Sequence, residues 1–296
     1  MTINNKAKSI VISKGNSGQR LDNFLISKIK NIPKSHIYKL IRTGQVRVNS
    51  SRSKPSVKVK IDDIVRIPPY RGTEELKPVI SKELSQKTED NILFEDRNII
   101  VFNKPTAFTV HSGTKSGYGL IDVIREVRND CERIDLLHRL DKDTSGCIIF
   151  TKNLKSLRDL QNKIICNEIE KKYICLVHGR WEQQIKEIEI DLRRNNKLEK
   201  AISKFKILRY FHNSTLLEVN IITGRYHQIR KHCSLSNHPI ICDTKYGDRN
   251  VNKIYKNKHL GRIFLHATSL KFDYNGKKYI KSPLPKQLKL FLDNHF

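Results

Sequence analysis

The most informative part of the chain is the string His138-Arg139-Leu140-Asp141-Lys142-Asp143-Thr144-Ser145-Gly146, which places two carboxylates among three basic side chains. The string follows an apolar segment that ends at Leu137 and precedes an apolar run of strand length, Cys147–Phe150. Nearby cations lower the pKa of a carboxylate and keep it ionised as a potential nucleophile. The same residues also fit a charged turn capped by Asp143 without any chemistry, and composition does not decide between the two interpretations.

A second string, Lys171-Lys172-Tyr173-Ile174-Cys175-Leu176-Val177-His178-Gly179, enters a predicted strand at Tyr173. The phenol ring can stack on a nucleic-acid base, and its hydroxyl can take part in proton transfer. The alternative is a tyrosine at a strand end, half-buried in the core.

A third string, Thr223-Gly224-Arg225-Tyr226-His227-Gln228-Ile229-Arg230-Lys231-His232, leads from a predicted strand into a predicted helix. Its Arg225 and Arg230 can bring fixed positive charge into a site. The spacing of His227 and His232 does not put two metal ligands on one helix face, and no acidic residue completes an HExxH pattern. We therefore expect no metal site here.

Strand-length apolar runs outnumber helical patterns in residues 91–296 and do not alternate with them regularly. This arrangement favours an α+β domain with a mixed, mainly antiparallel sheet over a doubly wound one. The predicted strands are Ile92–Glu95, Ile99–Phe102, Cys147–Phe150, Ile174–Val177, Phe205–Leu208 and Leu216–Ile222, and the predicted helices are Leu154–Cys166, Tyr226–Ser234 and Leu288–Leu292.

Residues 18–70 form a small separate unit in this interpretation, between a flexible tail (1–17) and a linker without periodicity (71–90). Apolar spacing predicts a helix over Arg20–Lys30 and a second, short helix around Ile37–Ile41 that stops at Gly44. Alternation of apolar and polar residues predicts short strands after the second helix, at Val46–Val48, Val57–Ile61 and Val65–Ile67.

The chain carries a net charge of +27, and residues 1–70 hold 15 Lys and Arg against 3 Asp, or +12. Charge this one-sided points to a polyanionic partner such as nucleic acid, because cations on a compact unit neutralise several phosphates and release their counterions. An ordinary lysine-rich surface is the alternative. The basic residues cluster around the second helix and the following turn: Lys34, Lys39, Arg42, Arg47, Arg52 and Lys54.

Several classes of protein are not expected from this sequence. No stretch approaches the roughly 20 apolar residues that a membrane span needs, and the N-terminus lacks the pattern of a secretory signal. The 6 cysteines are widely spaced and form no CxxC pair, which favours small core residues in a reducing cytosol over disulfides or a zinc site.

Both parts of the chain resemble known families. GQRLDNFL, KSHIYKLIRTGQVRVN and VKVKIDDIVRIP resemble an S4 RNA-binding domain over roughly residues 18–68. The three strings described above together resemble the RluA branch of the RNA pseudouridine synthases, with the signatures HRLDxxTSG, KxY and TGRxHQIR. The resemblance implies a cofactor-independent isomerase, cytoplasmic and monomeric, that converts uridines of large-subunit (23S) ribosomal RNA to pseudouridine.

The resemblance also assigns roles to individual residues. Asp141 matches the essential aspartate, Tyr173 matches the tyrosine that stacks on the target base and takes part in proton removal, and Arg230 matches the basic partner of the aspartate. Arg139 matches the residue that helps to displace the target nucleotide, and Arg225 holds phosphate or the local fold. We further expect RNA contacts from His138, Lys34, Lys39, Arg42 and Arg47.

The chain departs from the family pattern at three positions. Ala107 and Cys242 replace usual glycines, and Tyr226 replaces a usual threonine.

Two other functions fit parts of the sequence. A non-catalytic RNA-binding or ribosome-assembly protein accounts for the S4-like unit but not for the three strings. A base-removing hydrolase could use Asp141, but it would release free uracil.

Overall fold

The computed structural model describes residues 2–4, 6–29, 32–72, 81–110, 119–194 and 197–295. Residues 73–80 of the expected linker lie outside these ranges. The N-terminal unit contains two helices beside a three-stranded sheet in the order β2-β4-β3, with β1 paired to β5. Its elements are β1 (Thr2–Asn4), β2 (Lys8–Val11), α1 (Leu21–Lys28), α2 (Lys34–Arg42), β3 (Arg47–Val48), β4 (Ile64–Ile67) and β5 (Tyr70–Gly72).

The second helix forms where the sequence predicts it. Ile37, Leu40 and Ile41 are buried and recur at the spacing of one helix face. The helix ends before Gly44, which has a φ of +71° that glycine adopts without a steric penalty. The apolar face of α2 packs with residues of α1 and β4 in a hydrophobic core that belongs to the N-terminal unit.

Two expectations for the N-terminal unit are wrong. Lys8–Val11, placed in a flexible tail, pairs with β4, and the next residue, Ile12, is buried. Val57–Ile61 is not a strand. Its alternation arises because Val59 is buried and exchanges backbone hydrogen bonds with the loop before α1, at Gly18 and Gln19.

The larger part of the chain is an α+β domain, as expected. A helix that the sequence did not predict, α3, precedes it within the expected linker, with the Ser81 hydroxyl accepting a hydrogen bond from the Leu84 N–H (3.2 Å). The elements are α3 (Lys82–Glu89), β6 (Ile92–Glu95), β7 (Ile99–Lys104), α4 (Leu120–Val127), β8 (Asp135–Leu136), β9 (Ser145–Thr151), α5 (Leu154–Ile165), β10 (Glu170–His178), β11 (Glu187–Arg194), β12 (Lys197–Tyr210), β13 (Ser214–Ile221), α6 (Gln228–Leu235), α7 (Arg249–Asn257), β14 (Leu265–Asp273), β15 (Lys277–Lys281) and α8 (Lys286–His295).

A ten-stranded sheet organises this domain in the order β11-β12-β13-β10-β14-β9-β7-β6, with β15 on β14 and β8 on β9. Among the described pairs of this sheet, β9 and β14 alone run parallel. The prediction of a mixed, mainly antiparallel sheet is confirmed. Both faces are covered: Ile148 and Phe150 of β9 pack in the core that includes α4 and α6, whereas Ile149 packs with Leu160 of α5.

The sheet also brings the three strings together. Gly146 in β9 and Tyr173 in β10 both pair with Ala267 of β14, so the ends of the first and second strings meet across one strand. The strand β10 pairs with β14 on one side and with β13 on the other. The third string follows the end of β13 and leads into α6.

Within the described ranges, no helix is both long and apolar enough to cross a bilayer.

The pairing of β9 with β14 depends on Gly146. Its φ is +112°, and a Cβ added to it would lie 2.1 Å from the carbonyl oxygen of Ala267. We expect Gly146→Ala to destabilise the large domain by about 3 kcal/mol, because both the backbone conformation and the strand contact disfavour a side chain. Urea unfolding followed by circular dichroism measures this. Gly224→Ala is the control, since nothing lies within 4 Å of the added atom; equal stability losses for the two variants would contradict the account.

Candidate active site

Asp141, Tyr173 and Arg230 line one small cavity of about 80 Å³ at the junction of the three strings. Asp141 lies in the turn before β9, Tyr173 in β10, and Arg230 in the first turn of α6. Arg139, Arg225 and His227 line the same cavity. The structure therefore assembles residues from distant parts of the sequence around a single opening.

Arg230 stands between two carboxylates rather than beside one. Its Nη1 lies 3.7 Å from Oδ2 of Asp141. Its Nε and Nη2 donate hydrogen bonds of 2.7 Å to the two carboxylate oxygens of Asp243. Asp243 is thus the bidentate partner of Arg230, a residue to which the sequence analysis assigned no role.

Asp243 is held as firmly as the arginine. Its side chain is fully buried, and Oδ1 also accepts hydrogen bonds from the backbone N–H groups of Lys245 (2.9 Å) and Tyr246 (3.0 Å). Burial alone would raise the pKa of Asp243, but the bonds from Arg230 and the two backbone N–H groups lower it below its ordinary value. The carboxylate is therefore anionic and fixes the guanidinium plane.

The pKa of Asp141 is shifted in the opposite direction to our expectation. Burial raises it above its ordinary value, while Arg230 and Lys104 act against this shift and Asp143 adds to it. The expectation that nearby cations produce a net lowering is wrong, because the effect of burial outweighs the lowering by Arg230 and Lys104. The Asp141 side chain remains 26% exposed, within reach of a molecule that enters the cavity.

His227 is a neighbour of Asp141 that the sequence analysis considered only as a metal ligand. Its Nε2 lies 3.6 Å from Oδ1 of Asp141, and its Nδ1 lies 3.1 Å from the hydroxyl of Tyr246. The residue has a φ of +54°, a left-handed conformation that is uncommon outside glycine. Burial, followed by the charge of Arg230, lowers the pKa of His227 to about 4, so the ring is neutral at pH 7.

Tyr173 forms part of the cavity wall and is only 6% exposed. Burial and the negative charge of Asp141 raise the pKa of its hydroxyl. The phenol is therefore protonated at neutral pH and offers an aromatic surface to the cavity. Tyr173 lies within β10 and not at its end, and it lines the cavity of Asp141 while it also packs in the main core of the domain.

Two basic residues, the buried Lys104 and the partly buried Arg262, hold the turn that carries Asp141. Lys104 Nζ donates to three carbonyl oxygens, those of Pro105 (3.0 Å), Phe108 (2.9 Å) and Lys142 (2.9 Å), and burial lowers its pKa to about 7. Arg262 Nη2 donates to the Ser145 hydroxyl (2.7 Å), and burial lowers the pKa of Arg262 to about 10. Arg262 was not identified from sequence, because its partner lies 117 positions away.

The expected RNA-contacting residues near the cavity differ in their surroundings. Arg139 is exposed at the cavity. Arg225 donates from Nε to the carbonyl of Lys200 (2.9 Å), so it also ties its loop to β12. His138 does not line the cavity. Its Nε2 accepts a hydrogen bond from the backbone N–H of Ile149 (3.2 Å), and burial lowers its pKa to about 3. This bond ties His138 to β9, and its expected RNA contact stays a prediction.

The basic cluster of the N-terminal unit surrounds a groove of about 750 Å³ between α2 and the turn at residues 52–55. Lys39 and Arg42 line it, and Lys34 lies exposed at the start of α2. Arg47 is exposed outside the groove, and its guanidinium donates to the carbonyls of Gly44 (3.4 Å) and Ser50 (3.1 Å), so its expected RNA contact stays a prediction. The groove walls are Ser35, Tyr38, Lys39, Ile41, Arg42, Arg52, Ser53, Lys54 and Pro55.

Across the ranges described above, no group of three or more His, Cys, Asp or Glu side chains is arranged to hold a metal ion.

Comparison with known proteins agrees with both parts of the structure. The family model for RNA pseudouridylate synthase matches residues 98–235, and the model for the S4 domain matches residues 19–65. The chain is 39% identical to the ribosomal large subunit pseudouridine synthase C of Haemophilus influenzae, over 98% of this chain and 95% of the relative. It is 36% identical to the protein of the same name from Escherichia coli, over 95% of this chain and 94% of the relative.

A solved structure shares the fold of the larger domain. Human RNA pseudouridylate synthase domain containing 4 superposes with a TM-score of 0.62 at 23% identity, covering 71% of this chain and 95% of that protein. The sequence matches span nearly the whole chain and carry the family's motifs around the cavity. The chain therefore belongs to the RNA pseudouridine synthase family, and it is an isomerase with an N-terminal S4 domain.

Proposed function

We propose that this enzyme converts uridines of large-subunit ribosomal RNA to pseudouridine, with Asp141 as the essential carboxylate. The names of the relatives at 36–39% identity support the substrate. The observation that carries the role of Asp141 is the division of Arg230 between two carboxylates. Asp243 takes both short hydrogen bonds, so Arg230 gives Asp141 a positive neighbour at 3.7 Å without occupying its oxygens.

The reaction imposes requirements that this arrangement meets. The bond between N1 and C1′ breaks, the base turns, and C5 bonds to C1′ while a proton leaves C5 and N1 gains one. A base stacked in a helix cannot turn in this way, so the nucleotide must leave the stack, at a cost of a few kcal/mol. Single-stranded or looped RNA lowers that cost.

Three routes are open to the carboxylate: attack at C1′, addition at C6, and removal of a proton from the sugar. Each route needs Asp141 ionised, with an oxygen free to reach the nucleotide. Burial keeps water from the severed glycosidic bond but also disfavours the anion, and Arg230 and Lys104 offset that cost. No route moves electrons to an acceptor or transfers a phosphoryl group, so the proposal includes no cofactor.

The other cavity residues have complementary roles in this proposal. The ring of Tyr173 stacks on the displaced base. Because its hydroxyl is protonated at neutral pH, it can accept a proton from the nucleotide only after it has donated its own. Arg139, exposed at the cavity, occupies the place that the target nucleotide leaves. Arg225 supports the loop before α6 and offers charge to phosphate.

The S4 domain supplies a second RNA contact in this proposal. Its groove places Lys39, Arg42, Arg52 and Lys54 on both sides of one opening, a geometry that suits the phosphates of folded RNA. We further propose that the protein acts as a monomer in the cytoplasm.

The role of Asp141 is tested by Asp141→Asn. We expect isomerisation to fall at least about 100-fold, since a positioned carboxylate is lost, while RNA binding is retained. Unmodified large-subunit rRNA is incubated with the enzyme, and pseudouridine is mapped by carbodiimide-dependent stops of reverse transcription. Asp143→Asn is the matched control and should stay active, because the Asp143 carboxylate does not line the cavity.

The same assay separates the alternatives. A base-removing hydrolase would release uracil and reduce the mass of the RNA, and an RNA-binding protein would leave the RNA unchanged. Undiminished pseudouridine formation by Asp141→Asn would refute the assignment of this residue.

The pH dependence follows from the raised pKa of Asp141. Single-turnover isomerisation should rise with pH as the carboxylate ionises, with its midpoint above the roughly 3.9 of an ordinary aspartate. Asp143→Asn should move the midpoint to lower pH, because the like charge that raises the pKa is removed. Circular dichroism at each pH checks that the protein stays folded. A midpoint that stays in place in Asp143→Asn contradicts the electrostatic account.

The S4 groove is tested by its salt dependence. We expect Lys39→Gln/Arg42→Gln to weaken binding to the rRNA and to reduce the slope of log K against log salt by about 1.4–1.8, at about 0.7–0.9 for each lost phosphate contact. Lys58→Gln/Lys60→Gln removes the same charge from exposed positions outside the groove. Filter binding over a range of KCl measures both variants, and identical slopes would argue against the groove as an RNA site.

A further inference from the structure

Two side chains flank the carboxylate of Asp141, one at each oxygen. Nη1 of Arg230 lies 3.7 Å from Oδ2, and Nε2 of His227 lies 3.6 Å from Oδ1. Arg230 has a role in the proposed function, whereas His227 has none. A shift of the carboxylate by about 0.5 Å toward His227 would bring Oδ1 within hydrogen-bond distance of Nε2. The protonation of that nitrogen therefore determines whether His227 attracts or repels the carboxylate.

His227 is held in place by its backbone and by two aromatic rings. It precedes α6 with a φ of +54° and a ψ of +33°, a left-handed conformation that is uncommon outside glycine. The ring of Tyr226 stacks on it with centroids 3.7 Å apart, and the ring of Tyr246 meets it edge-on at 5.5 Å. Backbone strain of this kind persists only where the surrounding structure enforces it. The imidazole is therefore fixed relative to the cavity.

The hydroxyl of Tyr246 sets which nitrogen of His227 carries the proton. It lies 3.1 Å from Nδ1. Burial and the charge of Arg230 lower the pKa of His227 to about 4, so the ring is neutral at pH 7 and has one N–H and one lone pair. When the hydroxyl donates to Nδ1, the proton is on Nε2 and points toward Asp141. The other tautomer would direct a lone pair at an ionised carboxylate.

One turn of the chain holds both residues that flank Asp141. Asp243, at its start, accepts the two short hydrogen bonds of Arg230, and Tyr246, at its end, bonds His227. The turn is closed, because the N–H of Tyr246 donates to Oδ1 of Asp243 (3.0 Å). The ring of Tyr246 also lies 5.2 Å from the guanidinium carbon of Arg230. The arginine and the histidine thus share one support.

We propose that His227 and Tyr246 are positioning residues for Asp141. The Tyr246 hydroxyl fixes the tautomer of His227, and the Nε2–H of His227 orients Oδ1 and stabilises the ionised carboxylate. The inference rests on the proposed role of Asp141 as the essential carboxylate. Because the imidazole is neutral, it favours the anion without forming an ion pair with it.

Other charged and titratable groups surround Asp141 and His227, and they stay in place in every variant of His227 or Tyr246. Those that face His227 are Arg230 and Lys231 of α6 and Asp243 and Lys245 of the following turn, and those that face Asp141 are Arg230, Lys104, Asp143 and Tyr173. Loss of the Nε2–H alone should therefore raise the pKa of Asp141, since one group that favours the charged form is removed.

Single-turnover isomerisation of unmodified rRNA is measured across pH. We expect His227→Leu to lower the rate about 10-fold, as for a lost hydrogen bond to a charged group, and to move the pH midpoint upward. His227→Gln should restore most of the rate and the wild-type midpoint, because its amide NH2 takes the place of Nε2–H. His227→Asn suits the left-handed backbone but is too short to reach Asp141, so it should behave like His227→Leu.

The role of Tyr246 is separated from simple packing by a double-mutant cycle. We expect Tyr246→Phe to lower the rate about 5-fold in the wild-type background, as for one neutral hydrogen bond. It should have no effect in His227→Gln, because a glutamine has no tautomer for the hydroxyl to fix. Tyr274→Phe is the matched control. It removes a 2.9 Å hydrogen bond from the Tyr274 hydroxyl to Ser156, away from the cavity, and should leave rate and midpoint unchanged.

A second readout needs no turnover. Enzyme labelled with ¹³C at the aspartate carboxyls gives an NMR signal for Asp141, identified by its loss in Asp141→Asn. Its titration midpoint should rise in His227→Leu and stay at the wild-type value in His227→Gln. A carboxyl midpoint that does not move in His227→Leu, or an equal effect of Tyr246→Phe in both backgrounds, would overturn the proposal. If no pseudouridine forms but the carboxyl midpoint rises as expected, the proposed function fails and the positioning of Asp141 stands.

Discussion

The site depends on one buried guanidinium that serves two carboxylates in different ways. Arg230 donates its two short, parallel hydrogen bonds to Asp243, and this buried pair fixes the position of the guanidinium. Asp141 receives only the field of the same charge, at 3.7 Å. Had Arg230 bonded both oxygens of Asp141, the carboxylate would be more readily ionised but less able to act on a nucleotide. Burial raises the pKa of Asp141, and the side chains of His227 and Arg230 stay 3.6 Å and 3.7 Å from its two oxygens.

The sheet explains why these groups meet. The parallel pairing of β9 with β14 begins at Ser145 and Gly146, and the absence of a side chain at Gly146 lets the two strands approach. The turn before this pairing carries Asp141, and Lys104 and Arg262 hold it through carbonyl and hydroxyl groups. Burial lowers the pKa of Lys104 and of Arg262, and their hydrogen bonds to carbonyl and hydroxyl oxygens stabilise the charged forms against this effect. The charged groups around Asp141 are therefore bonded to the same turn that positions its carboxylate.

Sequence reasoning reached the main residues but not their pairing. The strings around Asp141, Tyr173 and Arg230 resemble a known family, and the structure brings them to one cavity. Periodicity could not identify Asp243 as the partner of Arg230, because they lie in different elements and the contact depends on the packing of α6 against the following loop. Likewise the inward orientation of His138 toward β9 is set by tertiary structure, and a basic string alone suggests exposure. The sequence analysis did not predict α4 and α7, although α1 and α2, which are equally short, were predicted. The false strand at Val57–Ile61 shows that alternation can reflect packing on a loop.

The most direct test is a structure of Asp141→Asn bound to unmodified RNA that contains the target uridine. The account predicts that the uridine is displaced from its stack, with its base against Tyr173, its glycosidic carbon beside the side chain of residue 141, and Arg230 still bonded to Asp243. A target uridine that remains stacked in the RNA, or that binds with residue 141 out of reach of its ring and sugar, would contradict the account.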